Sequence, residues 1–206
     1  MPIALTLVGF GWGVPKATAQ TLYPFSASYN VSATYKDIGS GVSEVSLVGE
    51  STDALYGLTK ISGTTYSLVE LVTGLFRFNT DPTTFGLQEI PFGLIVFSGS
   101  GNDKLFGTDS ATGVIDFETF TATAQGIFTI TGGEGQFRGA TGILDFSEVD
   151  QLSLDPTVPL TGRAVVSGTF QVKAVPEPTL VPTLVALGGI GSGFLLRRRH
   201  QNVVRP

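Results

Sequence analysis

The 206-residue sequence predicts an all-β, antiparallel protein, and three observations predict it. Apolar and polar residues alternate with period two through the central region, as strands with one buried face require. Clusters of Gly, Asn, Asp, Ser and Pro interrupt that alternation at short intervals, where turns belong. Charged residues make up only 14% of the chain and glycines number 27, against about 25% charged in typical soluble domains. Between Phe25 and Val172 no stretch carries the 3.6-residue apolar stripe of a helix.

The elements follow in order along the sequence. Ala27, Tyr29, Val31, Ala33 and Tyr35 alternate with Ser28, Asn30, Ser32, Thr34 and Lys36, which predicts a strand over 25–36. Asp37-Ile38-Gly39-Ser40-Gly41 ends it. Strands are predicted next over 42–50, 55–62 and 66–78, the last closed by Asn79-Thr80-Asp81-Pro82. A strand over 92–98 runs into the glycine-rich segment Ser98 to Asp103. Ile115 and Phe117 alternate with Asp116 and Glu118, predicting 113–123. Segments 125–131 and 136–147 form a hairpin around Thr131 to Gly135. After Asp155-Pro156, Val166, Gly168, Phe170 and Val172 alternate with Ser167, Thr169 and Gln171 in a strand over 163–172. Eight or nine strands result, a number that suits a sandwich or a closed barrel. Closure would remove the edges an exported protein must protect.

Charge and cysteine content exclude several classes. From Thr21 to Lys173 there are 7 Lys/Arg against 16 Asp/Glu, a balance of −9. Nucleic acid needs clustered positive charge, so no nucleic-acid partner is expected. There is no cysteine, which removes thiol nucleophiles, thiolate metal sites and disulfides.

Both ends read as addresses. Ile3 to Val14 is an apolar run that leads to Ala17-Thr18-Ala19, the small-x-small pattern of a secretory cleavage site, so residues 1–19 are expected to be a signal peptide cut after Ala19. No Lys or Arg precedes the run; the signal is atypical or the natural start lies upstream. At the other end, Leu180 to Leu196 holds 17 residues without a charge. As a helix that is about 25 Å, close to a bilayer core of about 30 Å once flanking arginines snorkel. Arg197, Arg198 and Arg199 would stay cytoplasmic and leave the acidic body on the far side.

Val175-Pro176-Glu177-Pro178, the apolar segment and Arg197-Arg198-Arg199 stand in one order. Together they resemble the PEP-CTERM sorting signal of Gram-negative and cyanobacterial-type bacteria. The resemblance implies an exosortase substrate: export, a transient membrane anchor, processing of the tail, and a final place in the envelope or extracellular matrix. The two prolines keep the motif extended and accessible. Domains are accordingly 1–19 signal, 20–173 β domain and 174–206 sorting signal.

Ile130-Thr131-Gly132-Gly133-Glu134-Gly135-Gln136-Phe137-Arg138-Gly139-Ala140-Thr141-Gly142 resembles the GGxGxFxGATG signature of the allene oxide cyclase and dirigent superfamily. The resemblance implies an eight-stranded antiparallel barrel. In the residues themselves, Gly132, Gly133 and Gly135 permit positive φ in a tight turn, Gly139 and Gly142 fit a bulge, and Phe137 fills the interior. The family's catalytic positions find no counterpart that can be assigned here, so no catalytic residue is carried over.

Candidate chemistry is sparse. The one histidine, His200, lies beyond the arginines, so no histidine triad or histidine metal cluster can be built in the β domain. Asp145, Glu148, Asp150 and Asp155 cluster in sequence, and Asp116 and Glu118 share one predicted strand face; outward faces and turns are the expected place for all of them. Ser98-Gly99-Ser100-Gly101-Asn102-Asp103-Lys104-Leu105-Phe106-Gly107 looks like one copy of a calcium-binding repeat, but without a second copy it is expected to be a hairpin turn. No metal and no cofactor is expected.

Two functions remain. The first is a non-catalytic envelope or matrix module that binds polysaccharide or a small apolar ligand, or coats. The second is a cyclase- or dirigent-like enzyme acting on a small apolar molecule in the lumen. A hollow interior with inward-facing charged or tyrosine groups favours the second, and an interior packed solid with Phe, Val and Leu favours the first.

Overall fold

A computed structural model describes residues 20–153, 155 and 158–173. The chain is all-β. Nine antiparallel strands form one sheet: β1 (Gln20–Asp37), β2 (Val42–Glu50), β3 (Lys60–Glu70), β4 (Leu75–Asn79), β5 (Leu94–Ser98), β6 (Lys104–Asp116), β7 (Thr121–Glu134), β8 (Ala140–Gln151) and β9 (Leu160–Lys173).

The pairings run round in a ring. From β1 they pass through β9, β8, β7 and β6 on one side, and through β2 and β3 on the other. The short strands β4 and β5 share the place between β3 and β6. β4 lies against Tyr66–Glu70 and Ser110–Val114, while β5 lies against Lys60–Thr64 and Lys104–Gly107. Every strand therefore has a partner on both sides over part of its length, and the first half of β1, Gln20–Tyr29, pairs with β9 alone.

Alternation fixes which side chains face inward. β1 turns Phe25, Ala27, Tyr29, Val31 and Ala33 inside, and β9 answers with Leu160, Ala164, Val166 and Phe170. Two apolar clusters fill the interior. One gathers Phe25, Tyr29, Phe97, Phe128, Phe137 and Phe170 toward the end where β1 starts. The other gathers Ala33, Val45, Phe76, Phe78, Ala122 and Leu160 toward the end where β1 finishes.

Three predicted strands are corrected. Segment 55–62 begins as a short 3-10 turn, Leu55–Gly57, with Tyr56 at φ 59°, and β3 starts only at Lys60. Segment 66–78 is two strands. The Glu70 carbonyl accepts from the N–H groups of Thr73 and Gly74, closing a turn inside an unbroken apolar pattern. Segment 113–123 also contains a turn: Asp116 Oδ1 accepts from the Glu118 and Thr119 N–H groups at 2.8 and 3.3 Å, and Phe120 sits at φ 53°. Asp116 and Glu118 thus do not share a strand face. In the GGEGQF segment the positive φ falls at Gly135 and, beyond it, at Gly139, while Phe137 is fully buried as expected.

Candidate functional site

The site grows from the polar residues that the alternation turns inward. On β8 the inward series is Leu144, Phe146, Glu148 and Asp150. On β6, Asp109 follows Leu105 in the inward series, and on β3 Thr65 and Ser67 are buried. Asp109, Glu148, Asp150 and Tyr35 line one interior cavity of about 60 Å³, whose remaining wall is apolar and includes Phe78, Phe97 and Phe128. A second, wider cavity of about 290 Å³ adjoins it on the side of the β8–β9 connection and shares Tyr35, Phe78, Asp150 and Leu160 with the first. A small space thus remains in the interior between the aromatic cluster and the end where β1 finishes.

Asp109 and Asp150 are each positioned with help from a second strand. Asp109 is pinned through its backbone: its N–H donates to Thr80 Oγ1 at 3.2 Å, and its carbonyl accepts from the Thr80 N–H and hydroxyl, both at 3.3 Å. Its Oδ1 accepts from the Thr65 hydroxyl at 2.8 Å. Asp150 pairs across the sheet with Gly162. A Cβ on Gly162 would collide with Asp150 Oδ1, so the glycine makes room for the carboxyl.

The electrostatics are those of carboxyls held away from water and close to one another. Burial pushes the Asp109 carboxyl up to about 6, partly offset by the Thr65 hydroxyl. Glu148 is raised well above the usual carboxylate range by burial, then by the Asp150 charge, and Asp109 adds a smaller push. Asp150 is raised by burial, and its hydrogen bond with Glu148 pulls it back down. Both carboxyls of the pair are thus shifted toward their protonated forms, because neither is easily ionised beside the other away from water. The Tyr35 hydroxyl is raised too, by burial and then by Asp150 and Glu148.

Two polar atoms in this region make no hydrogen bond within the protein. They are Asp150 Oδ1 and Ser67 Oγ, on side chains 4% and 2% exposed. Both residues border the wider cavity. Buried polar groups in folded proteins are almost always satisfied, so two orphans on one cavity wall mark a place built for something else.

The expected outward placement of the acidic cluster is thus corrected for half of it. Glu148 and Asp150 face inward, whereas Asp145 is exposed on the outer face of β8 and Asp155 lies in the β8–β9 connection, at the wider cavity. Sequence reasoning passed over Asp109 and Thr65. Their signal was phase: Asp109 is in step with Leu105, and Glu148 with Leu144. The Ser98–Asp103 segment is a turn, and Asp103 ties it to the next glycine-rich loop. Asp103 Oδ1 accepts from the Gln136 N–H at 2.8 Å and Oδ2 from its side-chain amide at 2.6 Å. Among the described residues no three acidic or histidine side chains come close enough together to hold a metal ion. Ala17, Ala19, Val175, Pro176, Glu177, Pro178, Arg197, Arg198 and Arg199, with the predicted signal helix and membrane helix, lie outside the described residues.

A scan of protein-family models, a search of curated proteins and a search of solved structures each returned no match to this chain.

Proposed function

We propose that the chain is an exported barrel that takes a small, largely apolar molecule with one polar group into its lumen. The closed circuit of pairings supports the barrel, with β4 and β5 filling one of eight places. The observation that carries the binding function is the hollow, apolar cavity ending on Asp109, Glu148 and Asp150, with Asp150 Oδ1 unpartnered. A purely structural module would gain stability by filling that space with apolar side chains. Delivery to the envelope or matrix rests on the N-terminal Ala17-Thr18-Ala19 and on the Pro176-Glu177-Pro178, apolar segment and Arg197–Arg199 series. Those features make exosortase, the export machinery and, through the tail, the membrane its partners.

Binding without turnover is the primary reading. A proton-transferring, cyclase-like activity is the second, and one observation favours it: Glu148 and Asp150 share the inward face of β8 at the cavity, where burial and the Asp150 charge raise the Glu148 carboxyl in the direction a general acid needs.

Xenon tests the lumen, because it enters dry apolar cavities and is rejected by packed cores. Crystals under xenon should show an atom among Val31, Phe97 and Phe128. An interior that takes no xenon would overturn the binding reading. For delivery, cells with and without exosortase should differ in the tail: an intact Arg197–Arg199 segment in both would overturn the sorting reading.

A further inference from the structure

We propose that the ligand of the lumen is an organic cation, a protonated amine carried on a small apolar body, with its ammonium seated among Glu148, Asp150 and Asp109. The proposal rests on the lumen-binding reading and names the chemical class that fits it.

Four observations carry it. First, the cavity wall brings together three carboxyls from two strands, and no lysine or arginine of the described residues lines either cavity. An unpaired carboxylate inside a protein is costly, and an incoming cation is the partner that removes the cost. Second, Asp150 is 4% exposed, lines both cavities, and leaves Oδ1 without a donor. An ammonium brings three donors and no acceptor, so it can satisfy Oδ1 without creating a new orphan. Third, Tyr35, Phe78, Phe97 and Phe128 supply aromatic faces along the same wall, and such faces attract organic cations. Fourth, among the described residues the acidic side chains are too far apart to close on a single metal ion. An ammonium on an apolar body needs no such tight cage, and the apolar wall suits its body.

Binding should also move protons. The titratable groups facing the cavity are Tyr35 from β1, Asp109 from β6, and Glu148 and Asp150 from β8; Asp155 borders only the wider cavity. β2, β3, β4, β5, β7 and β9 bring apolar residues and Thr65. A cation among the three carboxyls favours their ionised forms, so its arrival releases a proton to solvent and its affinity rises with pH.

The test uses the folded chain and three matched probes: benzylamine, benzyl alcohol and benzoate. Titration calorimetry in two buffers of different ionisation enthalpy reads affinity and proton release together. Benzylamine should bind most tightly, with proton release, and weaken roughly tenfold or more in Glu148→Gln and in Asp150→Asn, the loss of one charge-assisted hydrogen bond. Far-UV circular dichroism of both variants should match that of the parent, which confirms that they fold. If benzyl alcohol or benzoate matches benzylamine, or the variants leave benzylamine unchanged, the cation is wrong while the lumen stands. If none of the three binds and xenon stays out, the lumen reading fails and the cation with it.

Discussion

Glu148 and Asp150 stand two residues apart on the inward face of β8, where burial and the neighbouring Asp150 charge raise the Glu148 carboxyl well above the usual carboxylate range. Neither carboxyl has a basic partner in the cavity they line. That relationship sets both the chemistry of the interior and its response to pH.

Stability should fall as pH rises. The interior carboxyls have folded pKa values above their unfolded ones, so the folded state binds their protons more tightly. Their contribution is fully present below the unfolded value and is lost as pH climbs through the folded one. For Asp109 that window runs from 3.8 to about 6, and Glu148 extends it upward. Asp53 and Asp116 are lowered instead by hydrogen bonds, so their contribution is lost only at more acid pH. Asp109→Asn keeps an acceptor for the Thr65 hydroxyl and removes the charge. It should be more stable than the parent at pH 8 by on the order of 1–3 kcal/mol and nearly equal to it near pH 4. Urea denaturation at the two pH values checks this, and an Asn variant weaker at pH 8 would contradict it.

Gly162→Ala should strain the site without replacing any titratable residue. The new Cβ meets Asp150 Oδ1, and also the Val149 carbonyl oxygen at 2.5 Å and the Asp150 Cα at 2.9 Å. Overpacking of this kind costs about 1–3 kcal/mol. In an Asp150→Ala background the cost should shrink measurably, because the nearest of the three obstacles is gone. Equal costs in both backgrounds would mean that Gly162 does not shape the carboxyl.

Phe137 closes the packed end. It is fully buried, and its ring lies 5.8, 5.9 and 5.4 Å from those of Tyr23, Tyr56 and Phe170. Phe137→Ala should cost about 3–5 kcal/mol in equilibrium unfolding. A cost below about 1 kcal/mol would show that this end is loosely packed.

Asp103 should matter locally more than globally. Asp103→Ala removes both bonds to Gln136, with a global cost of about 1 kcal/mol. The sharper readout is hydrogen exchange at the Gln136 amide, which should accelerate while the amides of β7 stay protected. Unchanged exchange at Gln136 would show that the two glycine-rich loops hold each other by other means.

Much of this fold was legible in the residues. β1 announces itself through Ala27, Tyr29, Val31, Ala33 and Tyr35, and Asp37 to Gly41 ends it where the chain turns. β2 runs over the predicted 42–50. The turn at Asp116–Phe120 was hidden because Phe117, 48% exposed, continues the apolar alternation into the turn. The shared place of β4 and β5 depends on pairing with distant β3 and β6, which no local pattern records. The acidic interior was the hardest part. On β8 the outward series mixes apolar Ile143 and Val149, 55% and 56% exposed, with Asp145 and Ser147, so both faces carry apolar and acidic residues and the inward carboxyls read as solvent-facing. Only phase with Leu144 and Phe146 separates them.

The central claim is that this interior keeps a carboxylic acid protonated at neutral pH, ready for a ligand. The most direct measurement is a pH titration of the side-chain carboxyl carbons of Asp109, Glu148 and Asp150 by NMR in the ligand-free protein. Glu148 should retain its proton at pH 7, and its signal should respond to Asp150→Asn. Ordinary titration of all three carboxyls near pH 4, each indifferent to the others, would contradict it.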